Sequence, residues 1–167
     1  MTAEPNPHLL IAWAPEFIYV GNRFESNRAL VCDAAGTIVE IVDTASLKDE
    51  KRINLPRRAL LPGMVNAHSH AFQRVLRGKT EYRTANQRDS FWTWRELMYS
   101  AATRLGPEDI YDASRMAFLE MALSGITAVG EFHYLHHAPD GSPYDDPNVL
   151  AKEVIRAAQR RWVNEHA

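Results

Sequence analysis

The hydrophobic pattern changes period at Pro62, and this change limits the folds open to the chain. Before Pro62, short β-rich runs alternate with turn residues: Leu9–Trp13, Phe17–Val20, Ala29–Asp33 and Thr37–Val42. The last two flank Ala34-Ala35-Gly36, a plausible hairpin turn. Ile38, Val39, Ile41 and Val42 favour extended backbone through β-branching. Residues 1–61 therefore read as a small antiparallel sheet, with Leu47–Asn54 as an exposed loop.

After Pro62 the order becomes strand, helix, strand, helix, the pattern of a parallel sheet with crossover connections. Met64–His68 reads as a short apolar strand and Gln73–Gly78 opens a short helix. Arg77–Ser90 is polar and aperiodic, as in a loop, and Phe91–Tyr99 reads as helical. Pro107–Leu123 carries the strongest helical pattern, with Ile110, Ala113, Ser114, Ala117, Phe118 and Met121 on one face. Pro107 suits the first helical position, Glu108 and Asp109 suit the positive end of the helix, and Gly125 suits the stop. Ile126–Phe132 reads as a buried strand. Val149–Trp162 reads as a helix with Val149, Ile155 and Ala158 on its buried side. The expected organisation is thus 1–61 as one unit and 62–167 as a second, α/β unit.

Composition excludes several classes of function. With 19 Lys+Arg against 21 Asp+Glu, the net charge of −2 gives no footprint for nucleic acid or an anionic membrane. No apolar run approaches the roughly 18–20 residues of a membrane span. The start, MTAEPNPHLL, lacks the basic and apolar regions of a secretory signal. Cys32 is the one cysteine, which suits a reducing compartment, and the cytosol is the expected location.

The sharpest chemical signal is Pro62-Gly63-Met64-Val65-Asn66-Ala67-His68-Ser69-His70. Residues two apart on a strand share a face, so His68 and His70 present two imidazoles side by side. That is the beginning of a zinc site. His133, His136 and His137 follow the second strand. An i, i+4 pairing of His133 and His137 requires a helix that Pro139-Asp140-Gly141 disfavours, so they read as polar loop residues. Glu131 reads either as an acid–base group or as a structural partner, to an Arg or to a metal-bound His, and the structural reading is favoured. Arg95, among Phe91, Trp92, Trp94 and Tyr99, offers a planar fork for a carboxylate; the alternative is an ion pair with Glu96 or Asp89. Neither a phosphate-binding glycine loop nor a serine nucleophile elbow is found in the sequence.

Leu61-Pro62-Gly63-Met64-Val65-Asn66-Ala67-His68-Ser69-His70 resembles the first-strand signature of the amidohydrolase superfamily. The blocks His68–Arg74, Asp89–Tyr99 and Gly130–His137, in that order, resemble the formimidoylglutamate deiminase family within it. The resemblance implies the start of a metal-dependent (β/α)8 barrel, with the barrel incomplete, preceded by a β-sandwich segment. It implies His68 and His70 as ligands of one Zn2+, and Gln73, Arg95 and Tyr134 as substrate-binding residues. The implied reaction is hydrolysis of N-formimino-L-glutamate to N-formyl-L-glutamate and ammonia, a step of histidine degradation, by a homodimeric full-length enzyme. The family's third His ligand, its proton-transfer Glu, a further His and an Asp ligand have no counterpart before Ala167. The expectation is therefore an N-terminal fragment, inactive and poorly soluble or oligomeric alone, with the general acid–base downstream. The alternatives are a guanine-type deaminase of the same superfamily, or a non-catalytic, partner-binding chain.

Overall fold

A computed structural model describes residues 9–80 and 91–159. Asp89, the Arg77–Ser90 loop beyond Thr80 and the end of the Val149–Trp162 helix beyond Gln159 lie outside the described residues, as does His166. The chain divides into two compact units, with the boundary between Pro62 and Gly63. The first is a β-sheet unit and the second is α/β, and each has its own core.

The first unit is a five-stranded sheet: β1 (Ile11–Val20), β2 (Arg23–Glu25), β3 (Arg28–Cys32), β4 (Ile38–Asp43) and β5 (Lys51–Leu60). The expected hairpin forms β3 and β4, antiparallel, with Gly36 at φ +84° in its turn. Asp33 closes that turn by accepting the Ala35 and Thr37 amides at 2.9 and 2.8 Å. Two expectations need correction. Leu9–Trp13 and Phe17–Val20 are parts of one strand, because Pro15 sits where the β1–β5 register shifts and a bulge absorbs it. The polar stretch after Leu47 is a loop only to Glu50. From Lys51 the chain is strand β5, and it pairs parallel to β1, so the sheet is not wholly antiparallel. An edge strand with solvent on one side can be as polar as this one, which hid it from the hydrophobic pattern. Ala12, Ala14, Ala29 and Val31 form the small core, and Cys32 is buried beside it in sequence.

The second unit begins with β6 (Met64–Ser69), a 3-10 turn (Ala71–Leu76), and the helices α1 (Phe91–Ala102) and α2 (Pro107–Leu123). It continues with β7 (Ile126–Glu131) and α3 (Val149–Gln159). β6 and β7 pair in parallel, as a strand–helix–strand order requires. α2 has the expected bounds. Asp109 accepts the Gly106 amide at 2.9 Å, and Gly125 takes φ +83° just past the end. Its buried residues are Ile110, Tyr111, Ala113, Ser114, Ala117 and Phe118. Of these, Ile110, Tyr111, Ala117 and Phe118 pack with Phe72, Leu76, Met98, Leu150 and Val154 into one core.

Of the residues expected on the buried side of α3, Val149 packs against the core, while Ile155 and Ala158 are exposed, one position off the inward face. Leu150, Val154 and Ala157 face the core, whereas Ile155 is 55% exposed. The strand β7, expected to be buried, has no fully buried residue, and Met64 and Val65 on β6 are likewise exposed. A parallel pair needs cover on both faces, and among the described residues only one neighbour strand is present for each. No helix of the described residues is long and apolar enough to cross a membrane.

Candidate functional site

β6 ends where the two histidines lie. Strand periodicity puts both rings on one side, and their Nε2 atoms stand 3.0 Å apart. His70 Nδ1 lies 2.8 Å from the Phe132 carbonyl oxygen. A carbonyl only accepts, so Nδ1 carries a proton. This is the arrangement that orients a metal-ligating imidazole from behind. Two nitrogens bound tetrahedrally to one zinc at about 2.0–2.1 Å sit roughly 3.3 Å apart. The observed spacing therefore fits a shared cation with little movement. Among the described residues, no cluster of three or more His, Cys, Asp or Glu side chains forms around the pair.

The loop after β6 is sewn to the end of β7. Phe132 N–H donates to the Ser69 carbonyl at 2.8 Å, and Glu131 Oε1 accepts the Ala71 amide at 2.7 Å. Glu131 thus makes a structural hydrogen bond, though to a backbone amide and not to the Arg or the histidine expected from sequence. Close approach of the two strands depends on Gly130: a Cβ there would stand 2.8 Å from the Ala67 carbonyl oxygen. Backbone cannot yield as a flexible side chain does, so Gly130→Ala is expected to push β6 off β7 beside His68. The expected cost is about 1–3 kcal/mol, with misalignment of the two imidazoles. Chemical denaturation measures the first, and zinc titration the second. Unchanged stability together with unchanged zinc affinity would refute it.

Gln73 and Tyr134 come together. Gln73 Nε2 donates to the Tyr134 hydroxyl at 2.8 Å, and the Tyr134 ring lies 5.1 Å from that of His70 and 5.2 Å from that of Phe72. The Tyr134 hydroxyl in turn lies 3.9 Å from Met98 Sδ on α1. Arg95 sits one helical turn before Met98. Its guanidinium lies over the Trp92 and Tyr99 rings, 5.6 and 5.2 Å from their centroids, and donates to the Tyr99 hydroxyl at 3.2 Å. Arg95 is thereby held by aromatic faces, with no direct contact to Gln73 or Tyr134. Tyr99 and Tyr134 both line one cavity of about 390 Å³, together with His136 and His137. That volume suits a small molecule.

Among the described residues, His133, His136 and His137 form no metal-binding cluster with the pair on β6. No helix forms over 132–137, so His133 and His137 are not one turn apart on a helix. His133 is half-buried, with Nε2 at 2.6 Å from the Leu135 carbonyl; burial, above all, holds its pKa below the ordinary imidazole value. His137 forms an isolated bridge with Pro143. Sequence reasoning did not assign Arg74 and Glu120. Arg74 reaches Glu120 with two nitrogens, at 2.8 and 2.9 Å, and Arg77 adds a third contact at 2.6 Å. This network ties the 3-10 turn to α2. The pairing spans 46 residues, and only the charges themselves hinted at it.

Residues 59–164 match the amidohydrolase family. The chain belongs to that family. This amidohydrolase chain is 47% identical over 125 residues to formimidoylglutamate deiminase from Pseudomonas aeruginosa, an alignment covering 75% of this chain and 27% of that protein. A solved amidohydrolase from Brucella melitensis superposes with a TM-score of 0.74 at 33% identity, over 90% of this chain and 32% of that one. A mutant atrazine chlorohydrolase from Arthrobacter aurescens, crystallised with zinc and atraton, shares the fold. Its TM-score is 0.66 at 23% identity, over 90% of this chain and 33% of that one. The chain thus spans about a quarter to a third of the length of the relatives it matches.

Proposed function

We propose that this chain forms the opening part of a zinc-dependent deiminase that hydrolyses N-formimino-L-glutamate to N-formyl-L-glutamate and ammonia. The observation that carries the reading is the His68–His70 pair, with its facing Nε2 atoms and the His70 ring braced by the Phe132 carbonyl. The 47% identity to formimidoylglutamate deiminase supports the choice of substrate. The chain would contribute the first strands of a (β/α)8 barrel, preceded by the 1–61 sheet. His68 and His70 would hold the metal through Nε2. Zinc, when bound, supplies a Lewis acid and brings the pKa of water down to about 7.

The chain's own residues would do the recognition. Arg95 offers two parallel N–H donors to a substrate carboxylate, and its aromatic neighbours remove competing water. Gln73 and Tyr134, already joined to each other, would fix the other end of the glutamate skeleton near His70. Such positioning lowers the barrier by pre-orienting the reacting carbon rather than by breaking bonds.

The test is ammonia release from N-formimino-L-glutamate and, in parallel, from guanine. The full-length protein with zinc is expected to act on the first and not on the second. The 167-residue chain alone, presenting two imidazoles, is expected to release none. Release from guanine and not from N-formimino-L-glutamate would overturn the substrate assignment.

A further inference from the structure

We propose that Glu131 is a positioning residue that sets the tautomer and ring orientation of His70. His70 is bracketed by β7. The residue before it, Ser69, accepts the Phe132 amide at 2.8 Å, and its own Nδ1 donates to the Phe132 carbonyl at 2.8 Å. The residue after it, Ala71, donates to Glu131 Oε1 at 2.7 Å. Three consecutive residues of one strand end are thus held by two consecutive residues of the other.

Ala71 opens the 3-10 turn, and the first amides of a helix have no partner within it. His70, at the cap position, offers no side-chain bond, and its backbone (φ −130°, ψ 78°) matches neither strand nor helix. Glu131 therefore caps this turn from a strand 60 residues away in sequence. Its second oxygen, Oε2, is buried without a hydrogen-bond partner among the described residues, a costly placement for a carboxylate. Retaining that group is explained if its other oxygen has a task. The task is to fix the backbone on the far side of His70, so that the Nδ1–H stays aligned with the Phe132 carbonyl and Nε2 keeps facing His68. Neither the side chain of Glu131 nor its charge needs to touch a metal or a substrate.

This inference rests on the proposed metal site only in giving the orientation a purpose, and the tautomer can be read without metal. The experiment uses the metal-free, uniformly 15N-labelled chain, with His70 assigned by comparison with a His70→Gln sample. Glu131→Gln keeps an acceptor at the same reach and removes the charge. Glu131→Asp keeps the charge and withdraws the acceptor by one methylene. Circular dichroism confirms that both variants fold. The expected result is that wild type and Glu131→Gln show His70 protonated at Nδ1 alone, while Glu131→Asp shows a mixture of tautomers. With zinc added, Glu131→Asp is expected to bind about 10- to 100-fold more weakly, and Glu131→Gln within a few-fold of wild type. A single Nδ1–H tautomer in Glu131→Asp would overturn the inference. So would a tautomer mixture in Glu131→Gln, which would assign the effect to charge. If the tautomers behave as expected and yet the full-length wild-type protein binds no zinc, the metal reading fails and the positioning role stands.

Discussion

A His70→Ala variant is expected to lose zinc and, in the full-length protein, to lose deiminase activity by on the order of 10³-fold or more. The reason is geometric. Of the two facing imidazoles, His70 is the one braced from behind, by the Phe132 carbonyl and by the rings of Phe132 and Tyr134 at 5.7 and 5.1 Å. His68, exposed and lacking such a brace, cannot hold the cation by itself. Stability should fall far less than activity. His70 is only partly buried, and one hydrogen bond is worth about 1 kcal/mol net. The check is metal content after dialysis, with the unfolding midpoint as the control. A variant that keeps stoichiometric zinc would remove His70 from the ligand set.

The largest loss of stability is expected two residues later. Phe72 is 1% exposed and sits in the core formed by Leu76, Met98, Ile110, Tyr111, Phe118 and Leu150. Truncation to alanine removes most of a ring and leaves a cavity that α2 and α3 close only in part. The expected cost is about 3–5 kcal/mol. Against the roughly 5–15 kcal/mol of a typical domain, that leaves a substantial unfolded fraction. Urea denaturation should show a lower midpoint with an unchanged slope. Leu123→Ala is the matched control, since Leu123 is 79% exposed and should move by about 0.5 kcal/mol or less. A change under about 1 kcal/mol in Phe72→Ala would mean that the core repacks around the gap.

Legibility in the sequence followed the range of the interactions. α2 was legible to the residue, because Pro107, Asp109, Gly125 and a regular apolar face are all local signals. The β3–β4 hairpin and the histidine pair at the end of β6 were legible for the same reason: two-residue periodicity and turn chemistry act over a few positions. β5 was not, because its partner β1 lies some 40 residues earlier and its own residues are charged. The phase of α3 was lost because Ile155 and Val154 are equally apolar, and only packing against α2 decides which turns inward. At the site, the residue types were legible and their liaisons were not. Nothing in Gln73 announces Tyr134, and nothing in Glu131 announces the amide of Ala71.

The bond between His70 and the Phe132 carbonyl joins residues 62 positions apart. With the Glu131–Ala71 and Gln73–Tyr134 bonds, it makes the half-site a product of long-range closure. Closing a loop of that length costs chain entropy before any contact repays it, and such contacts form late in folding. The facing arrangement of the two imidazoles therefore depends on β7 being docked on β6. The geometry of the pair is thus set by contacts between distant parts of the chain and not by the strand that carries it.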